Sequence, residues 1–228
     1  MRYAPFIVLE SCDGGGSTTQ RDLLVARLES NGVKTFSTAQ PSNGPAGRLI
    51  RDMLTGRCSE RMDPEAFQRL FVADRVDHLV RVVEPARASG HTVICDRGEL
   101  STVVYYAAGA AHVRAMNERS MDALAWHLDI EIPTLTIVLA VPAEVAADRR
   151  RARGGPEELF DEAAFQERVA RLYADIEDVV GCQSGHRYRG PWLDGEDAAL
   201  VVIDGTGTVD EVAASVWAAV ESRIGTGA

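Results

Sequence analysis

Lysine is almost absent from this sequence. Lys34 is the only lysine among 24 basic residues, and acidic residues number 34, so the formal net charge is −10. A protein that binds nucleic acid over a broad surface needs clustered cations to contact the phosphates. The charge balance therefore argues against a nucleic-acid polymer as a partner.

Paired cysteines, metal-ligand spacings and long apolar runs are lacking as well. The four cysteines form no Cys-x-x-Cys pair, and the five histidines show no ligand spacing. No apolar run is long enough to span a bilayer, and no signal peptide opens the chain. We therefore expect a protein of the reducing cytoplasm that does not enter a membrane.

The length and the hydropathy pattern predict one α/β domain over residues 1–228. Hydrophobic residues make up 46% of the chain and charged residues 25%, which is ordinary for a globular protein. Strands are predicted at 6–9, 33–36, 91–95, 134–141 and 200–203. Helices are predicted at 18–31, near 48–54, and at 64–88, 101–111, 117–127, 142–152, 161–180 and 209–224. This alternation predicts a five-stranded parallel sheet with helices on both faces.

The most informative stretch is 6–20, where an apolar strand runs into three glycines and then into a helix. Glycine-rich turns at a helix N-terminus bind anions, because backbone N–H groups and the helix dipole point at the ligand. Laid on the phosphate-loop pattern G-x-x-x-x-G-K-[ST], residues 11–18 depart at two positions. Ser11 replaces the first glycine and Ser17 replaces the lysine. Lys34 lies far away in sequence, at the start of a predicted strand, where a solvated strand end is the simpler interpretation.

Other polar residues follow predicted strands. Asp96 and Arg97 come directly after the third strand, and Asp204 ends the last one. In open parallel sheets, ligands bind beyond the carboxyl ends of the strands. We therefore expect these side chains to lie near the glycine-rich loop.

The order of these motifs resembles the thymidylate kinases, a family of P-loop nucleoside monophosphate kinases. The resemblance covers nearly the whole chain. It rests on 6–20, on 70–75 with His78, on Asp96-Arg97 followed by Ser101 and Tyr105, on 149–153 before Phe160-Asp161, and on 202–204. It implies a three-layer P-loop kinase sandwich with a short arginine-rich lid at about 149–161. It also implies a homodimer that uses ATP and Mg²⁺ to phosphorylate a nucleoside monophosphate or a related acceptor.

The resemblance also implies roles for individual residues on the ATP side. Thr18 and Asp96 would hold the metal ion, and Asp96 would be catalytic. The residues that would contact ATP are Gly14, Gly15, Gly16, Ser17, Thr18, Thr19, Arg149, Arg153, Asp204 and Thr206. The lid arginines Arg150 and Arg151 would be catalytic, and either would be a candidate to replace the missing lysine.

On the acceptor side, the same resemblance makes Asp13 and Arg97 catalytic groups near the acceptor phosphate. The substrate-binding set would be Phe71, stacking on the base, Arg75, bonding to its edge, Tyr105, closing the sugar side, and Gly98 and Ser101. Simpler interpretations stay open. Phe71 would also suit a hydrophobic core, Arg75 would suit an ion pair with Asp74 or Asp77, and the arginine run would suit a solvated helix end.

Four departures from the family pattern bear on function. Besides Ser11 and Ser17, an arginine and an acid expected after the second strand appear as Ala39 and Gln40. Gly98 replaces a tyrosine, which predicts a void beside the acceptor. These changes leave three hypotheses: a diverged kinase with a changed acceptor, a nucleotide-binding pseudo-kinase with a regulatory or partner role, and a phosphatase-like enzyme.

Overall fold

The computed structural model describes residues 4–60, 62–110, 133–154, 159–181 and 199–224. The helix predicted at 117–127 and residues 155–158 of the predicted lid lie outside these ranges. Within them, no helix is both long enough and apolar enough to cross a membrane.

Strands and helices alternate along the described chain. In order they are β1 (Phe6–Ser11), α1 (Ser17–Ser30), β2 (Thr35–Ala39), α2 (Pro45–Leu54), α3 (Pro64–His78), a π-helical turn (Leu79–Val83), α4 (Glu84–Ala88), β3 (Thr92–Asp96), α5 (Glu99–Ala110), β4 (Leu135–Ala140), α6 (Ala143–Arg153), α7 (Ala163–Ala174), α8 (Ile176–Gly181), β5 (Ala199–Asp204) and α9 (Val209–Ile224).

The five strands form one parallel sheet in the order β2-β3-β1-β4-β5. The register pairs Leu9 of β1 with Asp96 of β3, and Ser11 with Leu139 of β4. These pairs bring the carboxyl ends of the three central strands to one edge, where the loop between β1 and α1 begins. The predicted five-stranded parallel sheet is therefore confirmed.

Both faces of the sheet are covered. Ile7 and Leu9 of β1 pack against α1 and α9, whereas Phe6 and Val8 point the other way onto the π-helical turn. On that second face, Val138 of β4 packs with α5 and α7. Burial on both sides explains why β1 is a continuous apolar run rather than an alternating one, and it confirms the three-layer sandwich.

The long helix predicted from residue 64 begins as expected. Asp63 caps it, because its carboxylate accepts hydrogen bonds from Glu65 N at 2.9 Å and Ala66 N at 3.3 Å. The regular α-helix ends at His78 and gives way to the π-helical turn, with Pro85 in the first turn of α4. Proline has no N–H to donate to the preceding turn, which interrupts the regular pattern at this point.

Strand β2 differs from its predicted bounds. The prediction placed it at 33–36, whereas the structure has Thr35–Ala39. Each of these five residues pairs with one residue of β3. Pairing with β3 sets the bounds of this strand, and the local apolar pattern does not predict that pairing.

Candidate active site

The loop between β1 and α1 curls over the first turn of α1. Gly14 and Gly16 adopt φ values of +86° and +98°, which glycine accepts at little cost. Gly15 N donates to Cys12 O at 2.9 Å. Residues 12–19 line a cavity of about 510 Å³, which we call the phosphate-loop cavity. The predicted phosphate-binding residues 14–19 therefore border one cavity at a helix N-terminus, where anions are favoured.

Ser11, one of the two departures in the loop, fits because of Gly15. The Ser11 side chain is buried, and its hydroxyl donates to Cys12 O at 3.1 Å. A Cβ on Gly15 would lie 2.6 Å from Ser11 Cβ and 2.8 Å from Ser11 Oγ. The missing side chain at position 15 provides the room that Ser11 occupies.

Cys12 lies in the same loop but is not suited to act as a nucleophile. Its side chain is buried, and burial raises the pKa of the thiol to about 11. The thiolate, which is the reactive form, is therefore scarce at neutral pH.

The two predicted metal ligands lie together. The Thr18 hydroxyl donates a hydrogen bond to Asp96 Oδ2. Asp96 Oδ1 is buried and has no hydrogen-bond partner among the residues that the structure describes. Buried polar atoms normally have a partner, and a carboxylate oxygen beside a hydroxyl is what Mg²⁺ takes as ligands. The residues present therefore fit a magnesium ion.

Asp13 and Arg97 form an ion pair at the meeting point of β1 and β3. Arg97 Nη2 donates to Asp13 Oδ1, and Arg97 Nη1 donates to Ser11 O at 2.9 Å. Arg97 has φ +67°, a conformation that non-glycine residues rarely adopt and that recurs at functional sites. Desolvation opposes the charge on Arg97, but the nearby carboxylates of Asp13 and Asp96 favour it, and its pKa is raised.

Tyr105 and Gln166 hold the other oxygen of the Asp13 carboxylate. Tyr105 Oη donates to Asp13 Oδ2 at 2.9 Å and Gln166 Nε2 donates at 3.0 Å. Burial raises the pKa of Tyr105 well above its usual value, so its phenol stays protonated and able to donate. The structure thus brings Asp13, Arg97 and Tyr105 together, as predicted, and adds Gln166.

A second cavity, of about 240 Å³, lies on the other side of this ion pair. All five predicted substrate-binding residues line it: Phe71, Arg75, Gly98, Ser101 and Tyr105. Phe71 is only partly buried, and its ring meets that of Phe67 edge to face at 5.1 Å. Phe71 thus packs on the buried Phe67 and borders the cavity, and its stacking on a base stays a prediction.

Arg75 points into this second cavity rather than along the surface of α3. Its Nη2 donates to Gly98 O at 3.0 Å and to the Thr102 hydroxyl, while Nη1 is buried with no partner in the described part of the chain. Burial lowers the pKa of the guanidinium, and the Glu99 carboxylate opposes this shift.

The alternative interpretation of Arg75, an ion pair on the helix surface, is wrong. The Asp74 carboxylate accepts from the backbone N and the hydroxyl of Ser42 instead. Asp77 pairs with Arg81, at 3.6 Å. Both acids are therefore engaged elsewhere.

The void expected beside Gly98 requires a correction. A Cβ on this residue would lie 3.0 Å from Val8 Cγ1 and 3.6 Å from Glu10 Oε1. A side chain here would therefore meet the strand beneath, and it is the Gly98 carbonyl that faces Arg75.

Glu10 supports the site from below and was not predicted. Its side chain is 0% exposed. Glu10 Oε1 accepts from the backbone N of Gly98 and Ser101, and Oε2 accepts from the hydroxyls of Ser101 and Tyr173. The Ser101 hydroxyl is thus turned toward Glu10. An acid at the end of an apolar strand was the available signal, because a buried carboxylate requires partners.

The lid arginines divide by their position on α6. Arg149 and Arg153, one turn apart, both line the phosphate-loop cavity, and Arg149 Nη2 donates to Gly205 O at 2.9 Å. Arg151 lies on the opposite side, 77% exposed, and pairs with Asp148. The prediction that Arg151 replaces the lysine is therefore wrong, because 3.6 residues per turn direct it to solvent.

Arg150 lies behind the loop. It donates to the backbone carbonyl of Asp13 and forms an ion pair with Asp161 at 3.6 Å. A Cβ on Gly14 would lie 2.9 Å from Arg150 Cγ, so the stem of this arginine packs against the loop backbone. In this structure Arg150 supports the loop, and its catalytic role stays a prediction. Arg149 and Arg153 are the lid arginines that line the cavity.

The turn after β5 reaches the loop cavity through its backbone. Gly205 and Gly207 line that cavity. The side chains of the two predicted ATP-binding residues bond to each other, since Thr206 N and Oγ1 donate to Asp204 Oδ1 at 2.9 and 2.7 Å. These bonds lower the pKa of Asp204. Asp204 and Thr206 therefore shape the turn, and their contact with ATP stays a prediction.

Arg51 was also missed, although it lines the second cavity. Its guanidinium donates to Pro41 O and to Asn43 Oδ1, which fixes its position at the end of α2. No local pattern distinguishes it from an ordinary helix-end arginine. Only the folding of α2 over the sheet edge brings it into the site.

The fold and the site together define the class of this protein. A central parallel strand leads through a glycine-rich loop into a helix, and two cavities flank an aspartate–arginine pair at the carboxyl edge of the sheet. This arrangement is that of an α/β P-loop kinase.

Comparison with known proteins gives the family. The thymidylate kinase family model matches residues 9–181. Thymidylate kinase of Caulobacter vibrioides is 32% identical over 225 residues, covering 96% of this chain and 97% of the relative. That of Rhodopseudomonas palustris is 34% identical over 224 residues, covering 96% and 89%. That of Pseudomonas fluorescens is 37% identical over 150 residues, covering 65% and 70%. The chain belongs to the thymidylate kinase family, and so to the nucleoside-monophosphate-kinase-like phosphotransferases.

Proposed function

We propose that this protein transfers the γ-phosphoryl group of ATP to the phosphate of a nucleoside monophosphate or a closely related acceptor. One observation carries the proposal: Asp13 and Arg97 line both cavities. The phosphate-loop cavity suits the donor and the second cavity suits the acceptor. Their common border is where the two phosphate groups would meet, with the Arg97 guanidinium able to contact both.

On the donor side, the backbone N–H groups of residues 14 and 16–18 would hold the phosphates of ATP, while Gly15 N bonds to Cys12 O and shapes the loop. Thr18 and Asp96 would hold Mg²⁺, which neutralises phosphate charge when it is bound. Asp96 is well suited to this role because its second oxygen is buried and lacks a partner among the described residues. These residues act mainly by positioning and by charge, as phosphoryl transfer requires.

We assign the work of the missing lysine to Arg149 and Arg153. Both line the same cavity as Ser17. A phosphate binds a guanidinium as readily as an ammonium, and the guanidinium adds paired donors. Arg149 already donates to Gly205 O, which fixes it beside the loop. Arg153 is exposed, at the end of α6, and free to turn toward a bound phosphate.

On the acceptor side, the cavity combines cations with an aromatic ring. Arg51 and Arg97 supply positive charge for a phosphate, and Phe71 offers a face for a base. Arg75 carries only donors, so the base edge that meets Nη1 must present an acceptor atom such as a carbonyl oxygen. The neutral residues Ala39 and Gln40 at the positions of the family arginine and acid favour a related, modified acceptor.

The test is acceptor-dependent ADP release, with dTMP, other nucleoside monophosphates, nucleosides and small alcohols as acceptors. We expect turnover with at least one nucleotide that carries a carbonyl-bearing base. Tight nucleotide binding by calorimetry without turnover would instead support the pseudo-kinase hypothesis. Steady phosphate release from ATP without any acceptor would support the phosphatase-like one.

Two expectations about the whole protein are part of this proposal. By family resemblance we propose a homodimer, located in the cytoplasm. Sedimentation at micromolar concentration tests the dimer, since the chain has a mass of 24.7 kDa and a monomer of that mass would remove the claim.

A further inference from the structure

A line of polar side chains runs from β2 through α3 to the acceptor cavity. His78 Nε2 lies 2.7 Å from Thr38 Oγ1, and His78 Nδ1 lies 3.2 Å from Gln40 Nε2. Arg75 Nε donates to Gln40 Oε1 at 3.2 Å. His78 is 2% exposed, so its ring has little contact with water. The line ends at the arginine that faces the acceptor.

The direction of every hydrogen bond in this line follows from Arg75. A guanidinium only donates, so the atom of Gln40 that faces it must be the carbonyl oxygen. The Gln40 amide nitrogen then faces His78 Nδ1, which must accept. The imidazole proton must therefore sit on Nε2 and be donated to the Thr38 hydroxyl.

The surroundings of His78 favour this neutral ring. From α3 it faces Asp74, Asp77 and Arg75, whereas Thr38 and Gln40 on the β2 side carry no charge. Burial lowers the pKa of His78 despite the two carboxylates, with Arg75 acting in the same direction as burial. The Asp74 carboxylate is also engaged by Ser42 and does not bond to the ring.

We propose that His78 and Gln40 are positioning residues that fix the Arg75 guanidinium for the acceptor. The proposal rests on the proposed function for the role of Arg75 itself. Gly98 O and Thr102 hold only the Nη2 corner of the guanidinium. Gln40 accepts from Nε, so the guanidinium is held on two sides and cannot rotate. The buried Nη1 therefore keeps a single direction. Fixing donors before the ligand arrives lowers the cost of ordering them on binding.

The proposal explains why a neutral glutamine suits position 40, where the family has an acid. A glutamine can accept from Arg75 and donate to a neutral histidine at the same time, whereas a glutamate can only accept. Protonation of His78 would place a donor on Nδ1 opposite the Gln40 amide. The amide would then turn, present its nitrogen to Arg75 Nε–H and release the guanidinium. Acceptor binding should therefore weaken in acid, as His78 gains its proton.

The kinetic test compares Gln40→Leu with Gln68→Leu. Gln68 lines the same cavity but has no hydrogen bond to Arg75. We expect Gln40→Leu to raise the KM of the best acceptor by about tenfold, roughly 1.4 kcal/mol, with the KM of ATP nearly unchanged. Gln68→Leu should have a clearly smaller effect. Equal effects of the two variants on the acceptor KM would overturn the proposal.

A second measurement does not depend on activity. In protein labelled with ¹⁵N-histidine, long-range ¹H–¹⁵N spectra distinguish the two ring tautomers, and His78→Gln identifies the signals of this ring. We expect the Nε2–H tautomer at neutral pH in the wild type. We also expect Gln40→Glu, which has no donor for Nδ1, to raise the pH at which the ring takes a second proton.

The two measurements distinguish a failure of the proposed function from a failure of the hydrogen bonds among His78, Gln40 and Arg75. A wild type that turns over no acceptor but shows the Nε2–H tautomer would count against the proposed function and leave the hydrogen-bonded line intact. An Nδ1–H tautomer in the wild type would overturn the line itself, whatever the activity.

Discussion

The Thr18 hydroxyl donates a hydrogen bond to Asp96 Oδ2 and so joins the first turn of α1 to the end of β3. The two residues are 78 positions apart in sequence. The bond leaves Asp96 Oδ1 buried and without a partner in the described ranges. Buried polar atoms normally bond to protein, to ordered water or to an ion. The free oxygen is therefore the observation on which the proposed magnesium site rests.

Asp96→Asn should reduce kcat by about 10²–10³-fold, the typical effect of removing one preorganised charge contact. The amide keeps the size of the side chain but loses the charge that holds the cation. A magnesium titration of initial rates checks this, and we expect the variant to require more Mg²⁺. Asp210→Asn, on the exposed first turn of α9, serves as the control. An Asp96→Asn enzyme with wild-type magnesium dependence would contradict the assignment.

Arg153→Ala should reduce kcat by about 10²-fold or more, because it removes a cation proposed to stand in for the missing lysine. Arg151→Ala is the matched control, since that side chain points to solvent two residues away. Steady-state rates at saturating ATP give the comparison.

Restoring the lysine extends this test. The double variant Ser17→Lys/Arg153→Ala should recover a large part of the lost rate, because both cations would border one cavity. An Arg151→Ala loss as large as that of Arg153→Ala would contradict the division of the lid arginines.

Gly15→Ala should destabilise the protein by about 1–3 kcal/mol, the usual cost of overpacking a filled site. The added methyl would overlap Ser11 Cβ, at 2.6 Å. Thermal unfolding measures the effect. The double variant Ser11→Gly/Gly15→Ala should regain much of the loss, and a strictly additive double variant would show that the two positions do not share this space.

Much of the fold could be predicted from the sequence because its signals are local. Apolar runs, glycines after helices and the Asp63 cap are each set by a few neighbouring residues. The bounds of β2 and the π-helical turn were not predicted, since they depend on pairing with β3 and on a helix interrupted near Pro85.

The candidate site was predictable only in part, for a similar physical reason. Residues inside a motif, such as Asp13 and Thr18, could be found from spacing. The partners of Glu10 and Gln166 could not, because they lie far along the chain. Arg51 bonds to nearby residues, and only the packing of α2 brings it to the second cavity. Which lid arginine faces the loop depends on the rotation of α6, and the arginine run by itself did not fix that rotation.

Glu10→Gln should lower the free energy of unfolding by about 1–3 kcal/mol, as expected when a buried hydrogen-bonding group loses its match. The amide would place a donor toward either Gly98 N or the Ser101 hydroxyl, both of which donate to Glu10. Urea unfolding measures the change. Tyr173→Phe removes one of the four hydrogen bonds and should cost less. Equal losses in the two variants would contradict a central role for the carboxylate.

Thiol labelling tests the burial of the loop. At pH 8, iodoacetamide should modify Cys58, which is partly exposed, well before Cys12, whose pKa is raised to about 11. Peptide mass spectrometry reads the two sites separately, and urea should abolish the difference. The raised pKa of Cys12 also determines how the free energy of unfolding changes with pH. The folded state keeps the Cys12 proton up to about pH 11, whereas the unfolded state loses it near 9.0, so this residue lowers stability as pH rises between these values. Rapid labelling of Cys12 in the folded protein would contradict this loop geometry.

The most direct test of the account is ³¹P NMR of the purified protein with ATP, Mg²⁺ and one acceptor at a time from the nucleotide panel. The account predicts that two diphosphates form for each ATP γ-phosphate lost, ADP and the diphosphate of the acceptor, and that no matching resonance of inorganic phosphate appears. It predicts this transfer despite Ser17, with Arg149 and Arg153 in place of the lysine. Binding of ATP and acceptor with no new diphosphate at high protein concentration, across the whole panel, would contradict it.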